Sequence, residues 1–264
     1  MSAIQVVGAQ AYLAGLSVVH ESVECLTHLA QVRHPAYGTR NCYLKYYFQD
    51  RGSKGLANEV CGHVLAEAVG LSVPENPLIL TLPPNLLAQM HSRHAANIPA
   101  GADVAVWAVE QVRGQILPAG AEQAALLLRR WTQLPELIAF DTWVQNADRY
   151  PGNLIRRRNS SIVLIDHGHL AGSVRWAADL LQPDADPRHP FLSLWEGTIP
   201  DSINQGIMEA AGKHAACYRR AESDLQHWLG FLLGEGDRMA LLDFLRKRAD
   251  GSQDRMSRIL GLLL

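Results

Sequence analysis

The sequence predicts an α+β fold in two parts, a mostly antiparallel β first half holding one helix and a mostly helical second half. Three observations predict it. Up to about Phe48 the apolar residues come in short runs rich in Val, Leu and Tyr, separated by Gly and Pro, which is how strands joined by tight turns read. From Gly120 onward they recur every three or four residues, the spacing of helices with one buried face. Between the two, Val104 to Val112 reads as a strand running into Arg113-Gly114, a natural place for the chain to change over. The boundary therefore falls at Gly114, dividing the chain into 1–114 and 115–264.

The 264 residues are 48% apolar and 19% charged, enough for a sizeable core and far from the composition of a disordered chain. A net charge of −2 argues against a surface made for nucleic acid. The four cysteines (Cys25, Cys42, Cys61, Cys217) show no C-x-x-C spacing, so neither a zinc site nor a disulfide framework is expected, in keeping with a reducing cytoplasm. Residues 1–19 lack charge, but they also lack a basic leader and are interrupted by Gln5, Gly8, Gln10 and Gly15, unlike an export signal. No run reaches the ~18 to 20 apolar residues of a membrane span. The expectation is a soluble, cytoplasmic protein.

In chain order, Val6-Val7, Leu16 to Val19, Leu26 to Val32 and Cys42 to Phe48 are expected strands of an antiparallel meander, broken at Gly15, His34-Pro35 and Gly38. In the last of them Tyr43, Lys45 and Tyr47 share one face, and Leu44, Tyr46 and Phe48 the other. Lys45, alone, reads as an edge-strand lysine that deters aggregation. A helix follows from Gly55 to Val69, its stripe formed by Leu56, Val60, Val64 and Ala68, with Gly70 past its end and Pro74 preventing its resumption. Glu59, in its first turn, complements the helix dipole or pairs with Lys45. Pro74 to Leu82 is a strand, and 83–101 a polar excursion in which His91 and His94 are expected surface histidines. In the second half, 121–132 and a stretch beginning at Pro135 are helices. Gly172 to Pro200 lacks periodicity and reads as a substrate-side loop, and 201–264 form about four helices broken at Gly234 and Gly251.

The chemistry concentrates between Phe140 and Gly168, FDTWVQNADRYPGNLIRRRNSSIVLIDHG. Asp148 is followed five residues later by Asn153; a short hairpin then delivers Asp166 into a His-Gly turn. Two acids and an amide on loops at the ends of a hairpin can hold divalent cations against an anionic substrate while one carboxylate serves as a base. Asp, four residues, Asn and a later Asp-x-Gly is also the order of a kinase catalytic loop and metal loop.

These residues resemble the HipA-like kinase family. Phe140, Asp141, Trp143, Asn146, Asp148, Arg149, Asn153 and Leu154 match its catalytic loop, and Ile165-Asp166-His167-Gly168 its metal loop. Tyr43-Leu44-Lys45, Ala57-Asn58-Glu59 and Gly70-Leu71-Ser72-Val73-Pro74 match its nucleotide-lysine strand, glutamate helix and helix exit. The resemblance implies a two-lobed protein kinase-like fold and transfer of a phosphoryl group from ATP, with Mg²⁺, to a hydroxyl of a protein or small molecule. It assigns Asp148 to the acceptor proton, Asn153 and Asp166 to Mg²⁺, and Lys45 to the nucleotide phosphates with Glu59 in support. Glu110 and Val112 would lie in the linker beside the adenine. The family's pattern departs in one place: no Gly-rich loop precedes Lys45, and Ser22 to Thr27 stands there without glycine. Two alternatives follow, a pseudokinase that binds nucleotide or partner without turnover, and a phosphohydrolase using Asp148, Asp166, His167 and His169. Neither membrane nor direct nucleic-acid binding is expected.

Overall fold

A computed structural model describes residues 4–118, 120, 122–195 and 197–262. It divides into two compact units, one formed by residues up to Leu56 with Pro74–Arg113, the other by Ala57–Val73 with the chain from Gly114 onward. The helix that the sequence reading grouped with the first part thus belongs to the second unit. Its Asn58 and Glu59 side chains bond to main chain at residues 167–173, which accounts for that placement.

The first unit is built on six strands, β1 (Gln5–Val7), β2 (Tyr12–Glu21), β3 (Cys25–His34), β4 (Gly38–Tyr47), β5 (Leu78–Leu82) and β6 (Val104–Glu110), ordered β1-β5-β6-β4-β3-β2. β2, β3 and β4 form the expected antiparallel meander, but β1 lies outside it and pairs in parallel with β5. Leu44, Tyr46 and Phe48 are buried with Leu26, Leu80 and Val106 in one apolar core. Each such side chain contributes about 1.5–3 kcal/mol relative to exposure. Gly15 does not break its strand. β2 runs through it on three register irregularities, and a Cβ there would strike the Met90 sulfur and the Tyr12 hydroxyl.

Two further expectations change in this unit. β4 lies inside the sheet, so Lys45 is no edge lysine; it stands between Thr27 of β3 and Trp107 of β6. His91, expected at the surface, is buried. After α2 (Pro84–Met90), its Nδ1 lies 3.0 Å from Glu21 and its Nε2 3.1 Å from His28 Nδ1. Burial, with the neighbouring His91, lowers His28 to about 4.

The second unit is mostly helical: α1 (Gly55–Val69), which starts at the unit boundary, α3 (Glu122–Arg130), α4 (Leu134–Val144), α5 (Asp201–Ala211), α6 (His214–Leu232), α7 (Glu235–Asp250) and α8 (Ser252–Leu260). The expected helix at 121–132 is α3, its first expected residue lying outside the described set. Gly70 ends α1 at φ +86°, a conformation that glycine adopts without steric cost. A three-stranded antiparallel sheet joins β7 (Gln115–Ile116), β8 (Leu154–Arg156) and β9 (Ile162–Leu164), and the β8–β9 pair is the expected hairpin. β9 is tied to the exit of α1, since Leu164 N–H donates to Ser72 O at 2.8 Å. The stretch from Gly172 to Pro200 is aperiodic, as expected, but carries short 3-10 turns at Ala178–Leu180 and Pro190–Leu194. Among the described residues no helix is long and apolar enough to cross a membrane, and none of the four cysteines is in a disulfide.

Candidate active site

α4 is buried along most of its length, and of its two acids, Glu136 and Asp141, Asp141 is the buried one. A buried carboxylate is tolerated only when paired and hydrogen-bonded. Arg149, itself buried, supplies the pair: Nε lies 2.8 Å from Asp141 Oδ2 and Nη2 3.2 Å from Oδ1. Asn146 adds its amide to Oδ1 at 3.2 Å. Burial alone would raise the Asp141 carboxyl, but the Arg149 charge and then His189 outweigh it and hold it at about 2. His189 Nδ1 accepts the Phe191 N–H at 3.1 Å, so its Nε2–H faces Asp141, 3.2 Å away. One carboxylate thus fastens the turn after α4, the loop through Arg149, and the segment around residue 189.

The same guanidinium joins the two loops singled out by the sequence. Arg149 Nη1 donates to Ile165 O at 2.7 Å and reaches Asn153 O at 3.4 Å. Ile165 N–H donates to Asn153 O at 3.0 Å. Asn153 therefore lies beside the residue that precedes Asp166. Its own amide is oriented, with Nδ2 donating to Asp148 O at 2.8 Å, which leaves Oδ1 as the amide atom suited to a cation. Asp166 sits at φ +64°, a conformation costly for a residue other than glycine and often found at functional turns. Asp148 is exposed, while its backbone is held by Asn146 Oδ1, which accepts its N–H at 3.2 Å.

α1 grips the loop around Asp166 from the other side. Glu59 Oε2 accepts the His167 N–H at 3.0 Å. Asn58 Nδ2 faces the carbonyls of Gly168, Leu170 and Ser173 at 2.6, 3.0 and 3.0 Å, and its Oδ1 accepts the Trp176 indole N–H at 2.9 Å. Gly62 permits this approach: a Cβ there would run into the His167 side chain. Burial, then the Arg149 charge, pushes His167 well below its usual range, so its imidazole is neutral.

Asp148, Asn153 and Asp166 are thus brought onto one hydrogen-bonded framework with Glu59, whose carboxylate holds the loop that follows Asp166. Lys45, Glu110 and Val112 lie in the first unit. Lys45 is half-buried on β4. Glu110 closes β6 with its carboxylate engaged by Asn76 at 2.6 Å and Arg40 at 3.6 Å, and Val112 follows in irregular chain. In the sequence Asp141 and Arg149 stand as motif positions without a task, and the parts played by Asn58 and His189 do not show. Asp141 carried a signal, as an acid in the middle of the largely apolar run from Leu137 to Val144; His189 carried none.

The oxygens of Asn153 and Asp166 are hard donors of the kind Mg²⁺ takes, which binds through one or two protein groups and completes its shell with phosphates and water. Among the described residues no group of three or more His, Cys, Asp or Glu is arranged to hold a metal ion. His167, whose Nδ1 faces Arg149 Nη2 at 3.4 Å, is turned into this framework.

Compared with known proteins, residues 41–209 match the family model described as HipA-like kinase. No curated protein matches the chain.

Proposed function

From the premise that this chain belongs to the HipA-like kinase family, we propose that it transfers the γ-phosphoryl group of ATP, with Mg²⁺, to a hydroxyl of a protein or small-molecule acceptor. The β-rich unit and the helical unit would answer to the two lobes of a protein kinase-like fold. The observation that carries the reading is Arg149, which ties the carbonyls of Asn153 and Ile165 to Asp141 and so keeps the two candidate cation-binding residues on adjoining main chain.

In this reading Asp148 orients the acceptor hydroxyl and takes its proton as the new O–P bond forms and the bond between the β- and γ-phosphates breaks, releasing ADP. Asn153 Oδ1 and the Asp166 carboxylate hold Mg²⁺. Bound there, the ion would neutralise charge on the phosphate oxygens. Lys45 binds the α- and β-phosphates, Glu59 supports it, and main chain from Glu110 to Val112 meets the adenine. Phosphoryl transfer asks little covalent chemistry of the protein, so positioning and charge supply most of the acceleration.

One observation favours a second reading, in which nucleotide binds and little phosphate is transferred. The turn between β2 and β3 has no glycine and is closed on itself: Ser22 Oγ accepts the N–H groups of Glu24 and Cys25 at 3.2 and 3.1 Å and donates to Cys25 O at 3.2 Å. Amides spent in this way are not offered to phosphates. Labelled-phosphate transfer from ATP in a lysate separates the two readings. The wild type is expected to label an acceptor, and Asp148→Ala to lose that labelling while keeping its rise in melting temperature with Mg·ATP. A wild type that gains the rise and labels nothing supports the second reading. Asp166→Asn and Lys45→Ala are each expected to lose most of the rise; an undiminished shift in either removes that residue from the nucleotide site.

A further inference from the structure

Arg248 lies on α7, beyond the residues matched to the kinase family, and is wholly buried. Among the described residues no carboxylate is in ion-pair contact with it, although Asp186 and Asp184 are near enough to act on its charge; its guanidinium is spent on four carbonyls. Nε and Nη2 donate to Trp143 O and Thr142 O at 2.7 and 2.6 Å, and Nη1 donates to Pro183 O and Ala185 O at 2.9 and 2.8 Å. Thr142 and Trp143 belong to the last turn of α4, where Thr142 O also accepts the N–H of the cap residue Gln145 at 3.4 Å. Gln145 follows in the left-handed conformation at φ 51°, and then come Asn146, Asp148 and Arg149. Pro183 and Ala185 belong to the segment that leads to His189. Arg255 of α8 completes the arrangement, donating to Arg248 O at 2.9 Å and to Pro183 O at 2.6 Å. Burial, then the nearby Arg255 charge, pulls Arg248 down to about 9. A cation kept in so costly a place, at a helix end that feeds a catalytic loop, does more than fill space.

We propose that Arg248 is a positioning residue for phosphoryl transfer: it fixes the end of α4 from which Asn146, Asp148 and Arg149 depart, and the segment that brings His189 onto Asp141. The role rests on the kinase reading above. A planar fork is required, because the four acceptors lie in two pairs on different segments, and the ammonium of lysine cannot span them as the guanidinium does.

The test compares Arg248→Lys and Arg248→Gln with the wild type in thermal unfolding, amide hydrogen exchange, the Mg·ATP melting shift and labelled-phosphate transfer in a lysate. Arg248→Lys is expected to unfold cooperatively, to keep the nucleotide shift, and to transfer phosphate at least about ten-fold more slowly with KM for ATP within about two-fold. Exchange should rise in peptides covering 142–149 and 183–191 and stay unchanged in β8 and β9. Arg248→Gln should show the same pattern more strongly. Wild-type transfer by Arg248→Lys, a uniform rise in exchange across the second unit, or failure of both variants to fold would overturn the proposal, the last two assigning Arg248 to stability alone. Should the wild type transfer nothing, the kinase reading fails, and the local exchange pattern still decides whether Arg248 holds the loop.

Discussion

At the scale of single residues, Asp141 and Arg149 decide whether the candidate site exists. Each is buried and each is the other's counterion, so removing one leaves an uncompensated charge in the interior. Asp141→Asn is expected to cost about 3–5 kcal/mol in chemical denaturation, and to weaken the Mg·ATP shift because the carbonyls of Asn153 and Ile165 lose their common donor's anchor. The pair also sets a pH dependence. The Asp141 carboxyl is held at about 2 in the fold, below the ~3.9 of an unfolded chain. Its contribution is therefore complete above pH ~4 and lost as pH falls through the folded value. Asp141→Asn should remove this part of the acid transition; an unchanged transition between pH 4 and 2 would count against the ion pair.

At the scale of elements, the grip of α1 on the loop around Asp166 is the contact to test. Glu59 reads in the sequence as a dipole-complementing acid or a partner of Lys45, and Asn58 as a motif position without a task; both side chains end on main chain around the Asp166 turn. Glu59→Ala would leave the buried His167 N–H without its acceptor, an expected loss of about 1–3 kcal/mol. Gly62→Ala tests the packing independently of hydrogen bonds. Its methyl would meet the His167 side chain, and an expected destabilisation of about 1–3 kcal/mol should come with a smaller Mg·ATP shift. If Gly62→Ala melts and binds as the wild type does, α1 is not seated as closely as described. The element boundaries were largely legible, because Gly70, Pro74, Gly234 and Gly251 fall at or just beyond helix ends, Gly70 in the left-handed region that favours glycine. Gly15 misled, since a glycine admitting the Met90 side chain and a glycine ending a strand look alike in one dimension.

At the scale of the whole molecule, buried neutral histidines should dominate stability below neutrality. Burial, with the nearby Arg255, lowers His214 to about 3, and burial, with His91, lowers His28 to about 4. Both fold uncharged, whereas the unfolded chain takes up a proton near pH 6.5. Stability is thus highest above that value and falls as pH drops toward the folded values. At pH 5 each such imidazole is expected to cost about 2 kcal/mol relative to pH 8. Denaturation of the wild type and of His214→Gln at the two pH values checks this: the variant should lose less stability on acidification, and an equal loss would remove His214 from the account.

The chain's amino-acid order by itself determined the α+β class, three of the four strands expected in the meander, the hairpin that separates Asn153 from Asp166, and the spacing that marks the kinase family. All of these rest on local periodicity, turn chemistry or short motifs, which neighbours in sequence are enough to express. What only the tertiary structure decided is how distant residues are spent. Lys45 proved to lie on an interior strand, His91 in a buried chain of polar contacts, and the α1 helix in the second unit. Arg149, Asn58, His189 and Arg248 acquired their tasks only there, because a buried donor or acceptor takes whatever partner the packed chain brings within reach.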